Sequence, residues 1–163
     1  AQERVEIPAA EGFVLKGMMF RPQGQGPFPA VVALHGCGGL GGTSMPISAR
    51  HLDWGRQLSA LGFVVLFPDS YGSRGLGAQC LVRDRTVRPC KERVADAVLA
   101  KQWLQRRSDI DPNAVHEFDH PDRKPTRRTG LAFTADGTGE AMVATDPDAR
   151  ADALTRVPAF LKR

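Results

Sequence analysis

The fold is decided by residues 29–39, which read Pro-Ala-Val-Val-Ala-Leu-His-Gly-Cys-Gly-Gly. The first six residues form an uninterrupted apolar run of strand length. A strand with no polar face is typical of a central parallel strand that is covered on both sides. The glycines that follow predict a tight turn. This segment therefore predicts a buried strand of a parallel sheet with a glycine-rich loop at its carboxyl end.

The segments on either side add further strands. Val5 to Ile7 and Phe13 to Phe20 read as two strands around a turn at Ala10-Glu11-Gly12. Residues 63–67, Phe-Val-Val-Leu-Phe, form a second continuous apolar strand that ends at Pro68-Asp69. These runs indicate a sheet of at least four strands.

Two amphipathic helices separate or follow these strands. Trp54, Leu58 and Leu61 recur at helical spacing and predict one helix face, with Gly62 as the stop signal. Glu92 to Gln105 predicts a second helix, with its apolar side formed by Val94, Val98, Ala95, Leu99 and Trp103. Glu92, Arg93 and Asp96 are expected to lie away from that side. Alternating strands and helices predict an α/β fold with a mainly parallel sheet and flanking helices.

The pattern changes after a predicted turn at residues 108–113. A further buried strand should follow, but only Ala114-Val115 stands before His116-Glu117-Phe118-Asp119. The mostly polar stretch from Asp119 to Thr145 is expected to be loosely ordered. Asp146-Pro147 then predicts the start of a last helix that carries Ala151, Leu154 and Val157 on one face. We interpret residues 1–163 as a single domain.

Composition excludes several classes of function. The net charge is +4, but the basic residues are mostly scattered and do not alternate with aromatic residues, so no nucleic-acid partner is expected. No apolar run is long enough to span a membrane, so no membrane partner is expected. Gly36 to Gly42 lacks both the phosphate-binding P-loop ending and the dinucleotide fingerprint, so no cofactor is predicted.

Three cysteines and the first residues bear on the compartment. The chain begins Ala1-Gln2-Glu3, as it would after signal-peptide cleavage, which favours a periplasmic or secreted protein. Cys80 and Cys90 flank a short basic loop and are expected to pair if the chain is exported, which leaves Cys37 single. The alternative is a cytoplasmic protein with three reduced thiols.

Three segments together resemble the dienelactone-hydrolase branch of the α/β-hydrolases. They are the strand and turn at Ala30 to Gly39, the helix, strand and Pro-Asp-Ser-Tyr-Gly at Leu58 to Gly72, and His116-Glu117-Phe118-Asp119. The resemblance implies an α/β-hydrolase fold and cleavage of a small-molecule ester or lactone. It also implies that His116 is the catalytic base and that the turn at Cys37 and Gly38 supplies backbone N–H groups to an oxyanion hole.

The sequence departs from this family at the nucleophile. The resemblance places a Ser or Cys elbow, Gly-x-Ser-x-Gly or its Cys version, just after Asn113, and the catalytic acid on a later strand. This sequence contains neither elbow motif and passes from Val115 to His116. The chain therefore reads as a truncated α/β-hydrolase-like domain with an internal deletion near 115–116, of two or three βα units, on the order of 60–90 residues.

Other roles for these residues remain open. Cys37 is an alternative nucleophile if its thiol is activated, and Ser70 is another at the end of a strand. His116 is alternatively an ordinary loop histidine. With three later residues it is also an alternative metal site, comprising His116, Asp119, His120 and Asp122, although no motif supports a metal and none is predicted.

Two functions therefore compete. The first is an ester or lactone hydrolase, which requires the missing nucleophile and acid from other residues or a partner chain. The second is an inactive remnant or binding module. An exposed sheet edge makes a homodimer a further possibility, although no residue demands one.

Overall fold

The structure is a computed structural model that describes residues 1–42, 45–118, 126–130, 138, 141–143, 155–156 and 159. Two α-helices lie within these residues, α1 (Ala49–Ala60) and α2 (Glu92–Gln105). The strands are β1 (Gln2–Pro8), β2 (Val14–Phe20), β3 (Phe28–Ala33), β4 (Val64–Pro68), β5 (Ile110–Phe118), β6 (Thr126–Arg128) and β7 (Ala141–Val143). The last two form a separate antiparallel pair.

The main sheet has the strand order β1-β2-β4-β3-β5. Strand β3 lies between β4 and β5 and is parallel to both, whereas β2 is antiparallel to β4 and β1 is antiparallel to β2. The predicted α/β class is confirmed, with the parallel part of a mixed sheet at β4-β3-β5. Because β3, β4 and β5 are parallel, the loops that leave their carboxyl ends lie at one edge of the sheet.

The helices cover opposite faces of the sheet. Successive residues of a strand point to opposite faces, and in β3 Val31 packs in the core that contains Trp54 of α1. Its neighbour Val32 packs in the core that contains Leu104 of α2. Covering on both sides is what the apolar run of residues 29–34 predicts.

Helix α1 agrees with its predicted apolar face except at its end. Trp54 and Leu58 are buried, but Leu61 is 46% exposed. The helix ends at Ala60, and Leu61 is already the capping residue with ψ near 3°. Gly62 follows with φ +94°, as expected of a glycine stop signal. The third residue of the pattern therefore lies beyond the last helical turn.

The predicted apolar side of α2 is only partly correct, because Leu99 and Trp103 are half-buried and pack against the core. Its buried residues are Asp96, Ala97, Ala100 and Leu104, whereas Val94 is 52% and Val98 46% exposed. The face that contacts the sheet combines two alanines with Leu104 and Asp96, and the Asp96 carboxylate is paired with Arg74 from the loop after β4. Side-chain size therefore predicted only part of the buried face.

Strand β5 contains the segment that was predicted to interrupt the sheet. Phe28 pairs with Ile110 and Ala30 with Val115, so β5 has three more residues than β3 between these pairs. The predicted turn is present as this irregularity, because the N–H of Asn113 donates to Asp111 Oδ1 at 2.9 Å. The strand then continues through His116 to Phe118, where the sequence had suggested that the sheet breaks off.

The remaining sequence predictions fall mostly outside the described residues. These are the loose order of residues 119–145 and the helix predicted to begin at Asp146-Pro147. In the part of the chain that the structure describes, no helix combines the length and apolarity needed to cross a bilayer.

Candidate functional site

The glycine-rich turn follows directly from β3. Gly39 has φ +85°, a conformation that favours glycine, and its N–H donates to the carbonyl oxygen of Gly36 at 3.2 Å. The N–H groups of Cys37 and Gly38 donate to no acceptor among the described residues. Gly38 is exposed and Cys37 half-buried. The turn therefore presents two backbone donors without an internal partner, at the edge where the parallel strands end.

A disulfide holds this turn against the loop that follows β4. Cys37 is bonded to Cys80, with 4.8 Å between the Cα atoms, and Cys90 is free and exposed. The predicted pairing of Cys80 with Cys90 is therefore wrong. Closeness in sequence favoured the pairing with Cys90, but the fold brings the two strand-end loops together across 43 residues. Cys37 has no thiol in this state, which removes it as an alternative nucleophile.

Hydrogen bonds beside the disulfide also hold the glycine-rich turn in place. The N–H of Gln79 donates to the carbonyl oxygen of Cys37 at 2.7 Å. The Arg93 guanidinium donates to the carbonyl oxygen of His35. The His35–Gly36 and Cys37–Gly38 peptide groups are thus held from outside the turn.

His35 is a buried neutral histidine with a defined tautomer. Its Nε2 lies 3.1 Å from the N–H of Ser70, which can only donate, so Nε2 is the acceptor. The proton is therefore on Nδ1, which donates to the carbonyl oxygen of Gly36 at 2.8 Å. Burial lowers the pKa of His35, as expected for the neutral form. The 3.8 Å separation between His35 and Asp69 is accordingly not an ion pair.

The Asp69 side chain holds the start of the loop after β4. Its Oδ1 accepts the N–H of Gly72, three residues on, at 2.8 Å. A side chain at position 72 would require the Asp69 carboxylate to move, because its Cβ would lie 2.1 Å from Asp69 Oδ2. Ser70 is 1% exposed, so its hydroxyl is poorly placed to serve as the alternative nucleophile.

A buried ion pair connects this loop to α2. Arg74 makes two hydrogen bonds to the Asp96 carboxylate, at 2.7 and 2.8 Å, and donates to the carbonyl oxygen of Ser70. Asp96 is 2% exposed, and Arg74 also lies over the Phe13 ring. The hydrogen bond to Asp96 raises the pKa of Arg74. The sequence pattern did not predict this pair, although a lone acid within an alanine-rich helix face was a usable signal.

Tyr71 lies between these groups. Its ring packs edge-on against the His35 imidazole, with 4.7 Å between ring centroids, and Arg93 lies 5.7 Å from its centroid. Tyr71 is 1% exposed, and its hydroxyl has no hydrogen-bond partner among the described residues. It was quoted in the family motif without a role, and the structure places it in the wall of a cleft.

Two clefts open beside the glycine-rich loop. The larger has a volume of about 500 Å³ and is bounded by the loop from Gly38 and by the loop from Asp69 to Ala78. The smaller, of about 280 Å³, extends to the first two strands, where Arg4 and Lys16 line it. Leu40, Pro46 and Asp69 line both clefts. The candidate site is therefore a glycine-walled cleft with backbone donors at one end.

His116 does not lie at the sheet edge where Cys37 and Gly38 are. It occupies an inner position of β5 and pairs with Val31, two positions before Ala33 pairs with Phe118. The alternative of an ordinary loop histidine is therefore wrong. Its predicted role as a catalytic base stays a prediction, since the structure defines only its backbone position in the sheet.

No metal site is formed by the described residues, where no group of three or more His, Cys, Asp or Glu is suitably placed. Of the alternative metal site, Asp119, His120 and Asp122 lie outside these residues. The expectation of no metal and no cofactor stays a prediction.

Several solved structures that match this chain are named esterases. Esterase Est22 matches with a TM-score of 0.52 and 20% identity over 72% of this chain, and its complex with p-nitrophenol gives 0.51 and 20% over 72%. The esterase of Pyrobaculum calidifontis gives 0.50 and 24%, again over 72% of this chain. In each comparison the match covers 34% of the other protein, so the chain spans about a third of their length. No protein-family model and no curated protein sequence matches this chain.

The chain thus shares part of the fold of these esterases, an α/β-hydrolase-like sheet with flanking helices. At these identities the likeness concerns the fold alone.

Proposed function

We propose that this chain is the scaffold of a dienelactone-hydrolase-like carboxylic ester or lactone hydrolase. The observation that carries the proposal is the turn after β3, where the N–H groups of Cys37 and Gly38 have no acceptor among the described residues and Gly38 lines the larger cleft. Fixed backbone donors stabilise the negative charge that develops on a carbonyl oxygen under attack. The structural neighbours are named esterases, which supports the same class of substrate.

The chemistry would be acyl transfer. A nucleophile attacks the carbonyl carbon, the electron pair of the C=O bond moves to oxygen, and a base removes the proton of the nucleophile. The turn supplies donors to that oxygen, and the resemblance assigns the base to His116. The motif that would supply the nucleophile, Gly-x-Ser-x-Gly or Gly-x-Cys-x-Gly, does not occur in the sequence.

The missing motif favours a second candidate, a binding module without catalysis. It retains the cleft and the donors but lacks the nucleophile and the catalytic acid. We therefore expect ester binding without turnover by these 163 residues. Nucleophile and acid would have to come from additional residues or a partner chain.

We further propose that the protein is exported. The Cys37–Cys80 disulfide supports this, because disulfides persist mainly in oxidising compartments. The partner we propose is a small-molecule ester or lactone. A homodimer and the lack of a nucleic-acid partner stay predictions.

Binding is tested by titrating the 15N-labelled protein with dihydrocoumarin, an uncharged aromatic lactone. We expect the amide signals of Cys37 and Gly38 to shift as the carbonyl accepts their hydrogen bonds. Gly38→Pro removes one donor and should weaken binding about fivefold, the size of one neutral hydrogen bond. Gly38→Ala retains the N–H, and its Cβ meets open space, so binding should be unchanged. Binding elsewhere, with both amides unaffected, would overturn the proposal.

Turnover is tested on p-nitrophenyl acetate. Because no nucleophile motif is present, we expect the folded chain to release p-nitrophenol no faster than the denatured chain. Saturable turnover that His116→Ala abolishes would refute the inactive form of the proposal. An intact mass under denaturing conditions shows whether the assayed protein is the chain of 17.7 kDa.

A further inference from the structure

Asp69 supplies the only charged side chain in the wall of the larger cleft, among the residues that the structure describes. The rest of that wall is mostly glycine and apolar side chains, and Tyr71 adds a polar one. The Asp69 side chain is 25% exposed. Its charge therefore faces a space that a ligand can enter, without a competing charge in the same wall.

No neighbouring cation neutralises this carboxylate among the described residues. His35, at 3.8 Å, is neutral because its Nε2 accepts a hydrogen bond from Ser70. Arg74 is engaged by Asp96 and by the Ser70 carbonyl oxygen. The hydrogen bond from the Gly72 N–H satisfies one oxygen of Asp69 but brings no formal charge.

The smaller cleft does not offset this charge. Arg4 and Lys16 line it, but so do Glu6 and Asp69, and Glu6 is the cross-strand partner of Lys16. The formal charges in that cleft therefore sum to zero. An anionic ligand that reaches past Leu40 and Pro46 meets as many acids as bases.

We propose that Asp69 makes the larger cleft select neutral or cationic ligands and reject those that carry a carboxylate. The proposal rests on the proposed function for the identity of the site, and it adds the charge class of the ligand. A charge a few ångströms from Asp69, at the edge of a protein, interacts strongly enough to change affinity about tenfold.

The test compares three probes of similar size and different charge: benzylamine, benzyl alcohol and benzoate. Each is titrated at pH 7.5 and low ionic strength, and the amide shifts of Gly39, Gly72 and Gly77 report on the cleft. We expect benzylamine to bind most tightly and benzoate at least about tenfold more weakly. High salt should reduce the difference.

Asp69→Asn is the decisive variant. Asparagine keeps the Oδ1 acceptor for the Gly72 N–H, so the turn is retained while the charge is lost. We expect the affinities of the three probes to fall within about twofold of one another. Asp84→Asn changes the net charge equally at an exposed position that lines neither cleft, and it should leave the wild-type order intact.

Benzoate binding as tightly as benzylamine would overturn the proposal, as would an order that survives Asp69→Asn or the failure of all three probes to perturb the cleft. Benzylamine could bind more tightly than benzoate while the lactone leaves the amide signals of Cys37 and Gly38 unshifted. That result would contradict the proposed function alone. The two failures are therefore distinguishable.

Discussion

At the scale of single residues, burial determines the chemistry of His35. The Ser70 N–H and the Gly36 carbonyl together require the neutral Nδ1–H tautomer. Protonation of Nε2 would place two donors against each other and leave a charge in a buried position. His35 is therefore a structural histidine that connects the two loops of the site, and only its neutral form fits.

The pH dependence of stability should reveal this tautomer. The pKa of His35 is lowered in the folded chain, so between that value and about 6.5 the unfolded chain binds more protons. The contribution of neutral His35 to the free energy of unfolding is complete above about pH 6.5. It is lost as the pH falls, by at most about 1.4 kcal/mol per pH unit. Urea unfolding of the wild type and of His35→Gln between pH 7.5 and 5.5 measures it. If the free energy of unfolding changed equally with pH in both proteins, the assignment of a neutral His35 would be contradicted.

The turn of the candidate site could be predicted from the sequence, but its side-chain network could not. The turn at Gly36 to Gly39 was predictable because glycines after a buried strand leave few alternatives. The interactions of Arg74, Asp96 and Arg93 were not, because each joins residues that are distant in sequence. Long-range pairs leave no local pattern to read.

At the scale of elements, α2 shows how helical spacing can mislead. Apolar side chains lie on more than one side of this helix, and the face that contacts the sheet contains Ala97, Ala100 and Leu104. The strands were easier to predict, because continuous apolar runs such as residues 63–67 admit one interpretation. Strand β5 was missed since its turn residues are accommodated inside the strand.

Two substitutions on α2 distinguish its faces. Leu104 is fully buried, and Leu104→Ala should lower the free energy of unfolding by about 2–4 kcal/mol through lost burial and a cavity. Val98 is 46% exposed, and Val98→Ala should change it by less than about 0.5 kcal/mol. Chemical denaturation measures both changes. A larger loss of stability for Val98→Ala than for Leu104→Ala would support the face that the sequence favoured.

At the scale of the whole molecule, one covalent link joins the two loops of the site. The Cys37–Cys80 disulfide ties the loop after β3 to the loop after β4, beside the Gln79 hydrogen bond to Cys37. Sequence spacing favoured a local pair with Cys90. The tertiary fold determines the pairing, since it brings the carboxyl ends of parallel strands together.

Peptide mapping without reduction tests this pairing. Arg83 and Arg85 separate Cys80 from Cys90, so trypsin places these two cysteines on different peptides. We expect a cross-linked fragment containing Cys37 and Cys80, and alkylation of Cys90 alone in the native protein. Replacing both linked cysteines by alanine should cost up to about 4 kcal/mol of stability. A fragment joining Cys80 to Cys90 would refute the structure at this point.

The irregular pairing of β5 with β3 has a consequence for engineering. Both flanks of the irregularity, at Ile110 and at Val115, are paired with β3. The additional residues of β5 lie between these two pairs. Pro112 and Asn113 are exposed there, so a chain that leaves and re-enters at this point need not disturb the core. Residues 112–113 are thus a natural graft point, where an inserted strand-and-helix module could be added without redesign of the strands on either side.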